Sequence, residues 1–361
     1  FEHTAPTGFT PFTQDNLDDT ASKLTAWAWI KNRDATDSHV LVDRVRGVGK
    51  RLKSDGSSNP AQTTETNTIQ RFLQRGVQVG SDVEVNTANE SYVLWQWLLG
   101  DSATTGATLT GGSPDITSTG IVADAGHFSV GVYEGSGTDD DDISHGLGGT
   151  IEMLMVKHFA ADTDDWMVWH KNLSSNSHQL HLNTTDDEDT TKNAWGSNPV
   201  FDANVFRVGA TDETNKNSTG NSHVFFAFRS VPGVCKVGSY VGNSDDNGIY
   251  LSLGFKPAWW LVKEIGVSDA SHDWFIIDST RYKHNGSTTA GGVNGGTLEA
   301  NDSTVEETQT ANFGDAPGID FLADGLKLRT NSGVINGSGR TYIYLAMAEI
   351  GGGGTLPPIY G

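Results

Sequence analysis

Three stretches of this chain carry one pattern. Each has an apolar run reaching a lysine, a polar gap, and a second apolar run closed by aspartate or histidine. They read "AWAWIKNRDATDSHVLVDRVRG" at 26–47, "IEMLMVKHFAADTDDWMVWHKNL" at 151–173 and "GFKPAWWLVKEIGVSDASHDWFIIDS" at 254–279. The lysines are Lys31, Lys157 and Lys263, and the closing residues are Asp43, His170 and Asp278. A repeat constrains a fold more than any single motif, because every copy must adopt the same local structure. The lysines stand 126 and then 106 residues apart. A solenoid needs repeats in register, so this loose period favours modules whose loops differ in length.

A second motif follows each copy: "GVQVGSDVEVNTANESYVLWQW" at 76–97, "VFRVGATDETNKNSTGNSHVFFAF" at 205–228 and "GLKLRTNSGVINGSGRTYIYLAM" at 325–347. In each, an asparagine precedes an aromatic residue or histidine by six positions: Asn86 and Tyr92, Asn217 and His223, Asn336 and Tyr342. The segment is expected to be a hairpin whose last strand enters the core. A third motif, strand then Gly/Asp-rich turn then return strand, occurs at 128–148 and 236–255. The first module lacks it, and whatever precedes Phe1 is expected to supply its beginning. The resulting division is an extension at 1–22, module A at 23–99, a Gly/Ser/Thr linker at 100–125, module B at 126–230, module C at 234–350, and a Gly/Pro tail at 351–361. Each module of ~100 residues is expected to fold by itself.

The runs "MVWH", "WFIID" and "TYIYLAMA" are aromatic and β-branched and are bounded by turn formers, which is the signature of strands. They are apolar on both faces, so they are expected to be buried strands. Glycine is abundant at 43 residues and hydrophobic residues make up 36% of the chain, as in many short strands joined by polar turns. The expected fold is all-β, with tandem antiparallel β-sandwich, jelly-roll-like domains and few helices.

The net charge of −21 argues against nucleic acid and anionic lipid as partners. Cys235 is the single cysteine, which excludes a disulfide scaffold and a thiolate zinc site. No apolar run reaches the ~18 residues of a membrane helix. The chain contains neither G-x-S-x-G nor H-E-x-x-H. Asp82 and Glu84 could share one face of a strand as a carboxylate pair, but module C has no counterpart. His178 and His181, three apart, would point to opposite sides of a strand. The acidic runs at 139–142 and 186–189 could hold calcium, but neither has the spacing of an EF-hand loop. They read as loop tips, and no cofactor is expected. Trp259 and Trp260 align with "AWAWIK" and "EMLMVK", where methionine replaces tryptophan, so packing is favoured over sugar stacking. The gap between the paired runs varies most among the modules. Its residues Val267, Ser268, Asp269, Ser271, His272 and Asp273 are the candidate ligand or partner loop.

These motifs resemble modules of tail-fibre and other virion structural proteins of tailed bacteriophages. "FEHTAPTGF", "SHVLVDRVRGVGKRL" with "GVQVGSDVEVN", "DWMVWHKNL" with "VFRVGATDETN", and "KVGSYVGN" through "TYIYLAMAE" carry the likeness, which covers most of the chain outside the linker and tail. The resemblance implies concanavalin-like or SPRY-like domains on a fibre or spike. It supplies no catalytic residues. The expected function is that of a non-enzymatic structural protein on the virion surface, displaying its modules for host attachment to a glycan or protein. It would work as a homo-oligomer, with a trimer as one form, beside other virion proteins. A virion-associated polysaccharide depolymerase and a cellular adhesin or filament subunit are the alternatives.

Overall fold

A computed structural model describes residues 2–4, 25–56, 63–73, 76–98, 106–160, 164–217, 222–266, 272–282, 296–314 and 316–348. The chain is nearly all β, with several antiparallel sheets and four short helical segments among these residues. The tail at 351–361 and most of the 1–22 extension lie outside them.

Each lysine run is a strand: Thr25–Asn32, Met153–His158 and Pro257–Glu264. On one side it pairs with the return strand of its own hairpin, Val40–Asp43, Met167–His170 or Phe275–Asp278. On the other it pairs with the long strand that ends its module, Ser91–Leu98, Ser222–Phe228 or Thr341–Ala348. The registers coincide. Lys31, Lys157 and Lys263 face Val93, Val224 and Ile343, and Trp29, Met155 and Leu261 face Trp95, Phe226 and Leu345. The three repeats therefore take one structure at residue level.

The period of two explains why these strands are apolar on both faces. In module A, Ala28 and Ile30 join a cluster with Ile69, Phe72, Val85 and Tyr92, against the small sheet of the same module. In module C, Trp260, Val262, Tyr342, Tyr344 and Ala346 share a core with Leu251, Ile319, Leu326 and Leu328 of the three-stranded sheet. The other face points elsewhere. Trp27, Trp29, Val93, Trp95 and Trp97 of A, Met153, Met155, Phe226 and Phe228 of B, and Trp259, Leu261, Ile343, Leu345 and Met347 of C form one cluster. The three main sheets thus turn their second faces onto a common hub. Trp27 lies 4.4 Å from Phe226, and Trp97 lies 5.3 Å from Trp259 between ring centroids. The modules share this core and do not each keep a complete one.

Three expectations change. The asparagine segment is not a hairpin but a helical turn, at Val83–Asn86, Asp212–Asn215 and Gly333–Asn336. The equivalent asparagine of module B is Asn215, not Asn217, because its loop to His223 is two residues longer. Tyr92 Oη donates to Val83 O at 2.7 Å, and Tyr342 Oη donates to Gly333 O, so the aromatic residue locks the turn. In B, His223 takes this place, with Nε2 3.3 Å from Asp212 O and 3.5 Å from Lys216 N. The Gly/Asp hairpins are strand crossings between layers. Phe128–Glu134 lies on the long strand of B, whereas Asp141–Ser144 pairs with Val205–Val208 in a separate two-stranded sheet. Cys235–Val241 and Tyr250–Ser252 divide in the same way in C. In A, Glu2–Thr4 occupies the matching place against Ser91, Tyr92 and Val93.

The segment read as a linker, 100–125, is described from 106 onward and there holds two strands, Ala107–Thr108 and Ser118–Val122, at the end of the seven-stranded sheet. Gly120 serves close packing there: a Cβ on it would sit 2.2 Å from Val130 O, and on the neighbouring strand one on Gly131 would meet the Phe225 ring at 2.5 Å. Composition alone reads such glycines as flexibility.

A shared hub predicts one cooperative unfolding unit. Calorimetry of the full chain should give a single transition, and residues 234–350 expressed alone should expose the Trp259, Leu261, Leu345 and Met347 face and bind a hydrophobic dye. Two or more separable transitions would show that the modules are independent.

Candidate functional site

The seams between modules are where the repeated side chains do their chemistry. The residue before each return strand is His39, Trp166 or Trp274. Its backbone N–H donates to a side-chain oxygen of its own module: Asp55 Oδ1 at 3.0 Å, Asn183 Oδ1 at 2.9 Å or Asn301 Oδ1 at 2.8 Å. That bond fixes the ring, and the ring reaches across the seam. His39 Nε2 lies 2.9 Å from Glu299 O, so A meets C. Trp274 Nε1 donates to His181 O at 2.9 Å, so C meets B. Trp166 Nε1 donates to Lys53 O at 2.8 Å, so B meets A. Lys53, His181 and Glu299 are equivalent, because Leu52, Leu180 and Leu298 pair with Leu41, Val168 and Ile276. The three contacts form a closed cycle.

The histidine member has a defined protonation state. Trp29 Nε1 can only donate, and it lies 2.7 Å from His39 Nδ1. Nδ1 therefore accepts, and Nε2 carries the hydrogen that Glu299 O receives. Burial lowers the His39 pKa to about 4, so the ring stays neutral at pH 7.

Further contacts cross the A–C and C–B seams. Trp95 Nε1 donates to Asp278 Oδ2 at 3.1 Å, and Arg281, paired with Asp278, lies 5.5 Å from the Trp95 ring. His170 Nε2 lies 3.4 Å from Tyr344 O. Glu306 N donates to Arg33 O at 2.9 Å, and Glu188 N to Ile265 O at 3.2 Å. Arg33 and Glu306 also form an ion pair at 2.6 Å.

The three lysines are buried. Lys31 Nζ donates to Asn32 O and Ala35 O, Lys157 Nζ to Asp164 O, and Lys263 Nζ to Glu264 O and, across the seam, to Thr185 O. Burial lowers each pKa from 10.5 to about 8, against the pull of carboxylates such as Asp55, Asp164 and Glu264.

Of the candidate loop, Val267, Ser268, Asp269 and Ser271 lie outside the described residues. His272 and Asp273 are buried. Asn301 Nδ2 donates to Asp273 Oδ1 at 2.5 Å, and His272 Nε2 meets Arg340, so both brace the entry to the return strand. Asp82 caps the turn at Val83–Asn86 by accepting from Glu84 N, and Glu84 pairs with Arg51 and Lys53, so the two carboxylates do not share a strand face. His178 meets Glu188 at 3.0 Å and His181 meets Asp186 at 3.7 Å. The run at 139–142 ties loops together: Asp139 accepts from Ser197, Asp140 from Asn198 and Asp142 from Arg207. Among the described residues, no group of three or more His, Cys, Asp or Glu is arranged to hold a metal. Sequence reading missed the ring at His39, Trp166 and Trp274. The signal was present in "SH", "DW" and "DW" before the second apolar run.

Two outcomes test the seams. Trp166→Phe and Trp274→Phe keep an aromatic ring and remove one N–H each, leaving a buried carbonyl short of a donor. Each should cost about 1–2 kcal/mol in urea unfolding, and the pair should be near additive across separate seams. A change below 0.3 kcal/mol in both would remove the bonds from the account, since ~0.3 kcal/mol is the noise of such sums. The second concerns the lysines. A lowered pKa means that burial disfavours the charged form in the folded state. That cost is fully present below pH 8 and is relieved as pH rises from 8 towards 10.5. Wild-type stability should therefore gain on Lys157→Met across that window, by on the order of 3 kcal/mol at most. Parallel stability curves would show that Lys157 titrates normally.

Residues 16–350 match the family described as a domain of unknown function, DUF7483. No curated protein and no solved structure matches the chain. The chain belongs to the DUF7483 family, and its match runs through all three modules.

Proposed function

We propose that this DUF7483 member is a non-enzymatic structural protein of a tailed-phage particle, carried on a fibre, spike or other surface appendage and presenting its loops to the host. The observation that carries the reading is the cycle of ring-nitrogen bonds at the seams. The residue ahead of each return strand is committed to holding module to module, and Lys263 adds a bond across the C–B seam. A body locked in this way suits an element that must transmit position and resist unfolding outside a cell. The motif likeness to virion modules agrees with it. Attachment would rest on weak loop contacts multiplied by copy number. Three equivalent modules about one hub also suit a seat on the axis of a trimeric shaft.

Antibodies raised against the purified chain should label a defined appendage of the particle, and the soluble chain should compete with particles for adsorption to host cells. Label on the cell surface would favour an adhesin. Release of reducing ends from host polysaccharide would favour a depolymerase. Particles that remain unlabelled would end the virion reading.

A further inference from the structure

The segment 106–122 closes two sheet edges of module B at once. On the main sheet, Ser118–Val122 pairs with Phe128–Glu134, setting Thr119 against Val132 and Ile121 against Val130. On the small sheet, Asp115 N and Ile116 N donate to Asp142 O at 2.9 and 3.1 Å, and Asp142 N donates to Asp115 Oδ2 at 3.0 Å. Ser118 joins the two, since its Oγ donates to Ser144 O at 2.6 Å. The segment is a strap. Beneath it Ser144 is buried, and Val132 and Asp142 are half-buried.

Module C has the same two edges without the strap. Matching registers place Ser239 and Val241 where B has Val132 and Glu134, and Tyr250 and Ser252 where B has Asp142 and Ser144. Between Phe228 and Cys235 run only residues 229–234. They cover half of the main edge: Val231 exchanges backbone bonds with Cys235, and Ser230 Oγ accepts from Val237 N at 3.0 Å. The alternation of an antiparallel pair turns the backbone groups of Ser239 and Val241 outward. Those of Tyr250 and Ser252 also point outward, since Ile249 O and Leu253 N take the inward bonds. Among the described residues no strand meets these four on that side. All four are exposed. Val241 and Tyr250, 55% and 45% exposed, are two of the five exposed large hydrophobic residues among those described. Free edges are usually blunted by charge, proline or a bulge, and this one instead presents valine and tyrosine.

We propose that these two edges of module C receive an extended segment of another protein, which straps C as 106–122 straps B. Module B shows what the occupant must be. It pairs antiparallel with Ser239–Val241, as Thr119 pairs with Val132, and the residues ahead of that strand reach Tyr250 and Ser252. It carries a small residue opposite Gly238, because Gly120 lies opposite Gly131 and a Cβ there would sit 2.2 Å from Val130 O. It brings apolar side chains such as those of Ile116 and Ile121, both buried in B. Backbone bonds to the edge supply affinity, and the alternate side chains supply selectivity. A second copy of this chain fits less well, because a single segment, not a facing sheet, closes the same two edges in B.

The strap site goes beyond the attachment reading and does not depend on it. The probe is a fluorescent peptide with the sequence of residues 114–122, "PDITSTGIV", titrated with the full chain and followed by anisotropy. It should bind saturably and slow hydrogen exchange across 235–252. Ser239→Pro removes one outward N–H and should weaken binding about 5- to 10-fold, one hydrogen bond's worth. Proline is tolerated at such an edge position, because the inward ladder keeps its bonds. Tyr250→Lys blunts the second edge at an exposed side chain and should also weaken binding, which guards against a proline variant that fails to fold. No saturable binding, or binding indifferent to both substitutions, overturns the proposal. Sedimentation of the chain alone gives the remaining outcome. A dimer that Ser239→Pro dissolves would make a second copy the occupant, and that also overturns it.

Discussion

The hydrogen bond from a buried ring nitrogen to a carbonyl of the next module is the interaction on which the rest of the molecule depends. It occurs three times, from His39, Trp274 and Trp166, and the three close a cycle from A to C to B and back to A. A cycle has no free end, so each seam is held by the other two as well as by its own bond. The hub of Trp27, Met153, Trp259 and their neighbours excludes water from these bonds, which strengthens them and raises the cost of leaving any donor unpaired. Burial and hydrogen bonding support each other: apolar area brings the modules together, and the ring bonds select one mutual position among those that bury similar area.

The lysines add a different constraint. A buried lysine is poor for stability, yet one stands at the same register in each module, opposite Val93, Val224 or Ile343. A slip of one residue would turn each lysine strand over, exchanging its hub face for its in-module face. The Nζ bonds to loop carbonyls are satisfied in one register, so the lysine acts as a register mark, a role better attested for buried polar groups than stabilisation. The position that accepts the ring bond shows how far the modules have diverged on a common frame. Lys53 pairs with Glu84 and His181 with Asp186, whereas Glu299 stands among Asp273, Asp302 and Glu307 and is raised to about pKa 8, first by burial. The carbonyl is kept while the side chain is free to change, because the seam uses the backbone.

Much of this was legible from the residues. The lysine hairpins, the threefold repeat, the scarcity of helix and the packing role of Trp259 and Trp260 followed from periodicity and alignment. The helical turn at Val83–Asn86 did not, because "DVEVN" alternates as a strand does and the Asp82 cap is joined by Tyr92 Oη only when the long strand arrives. The strands at Ala107–Thr108 and Ser118–Val122 were hidden in a composition that elsewhere means flexibility, since Gly120 is required by the approach of Val130 O. The candidate loop was chosen for its variable length. Its described end, His272 and Asp273, is buried in bracing.

The sequence by itself determined that three copies of one strand pattern exist and that both faces of each lysine strand are covered. It could not say by what. Alternation reports that Trp27 and Ala28 point to opposite sides and that both sides are dry, but a core within the module and a core shared by three modules leave the same period-two trace. Only the tertiary structure decided between them, because the deciding contacts join residues far apart in the chain, such as His39 with Glu299 and Trp166 with Lys53. Such bonds depend on where whole sheets are placed, and local propensity carries no record of that placement.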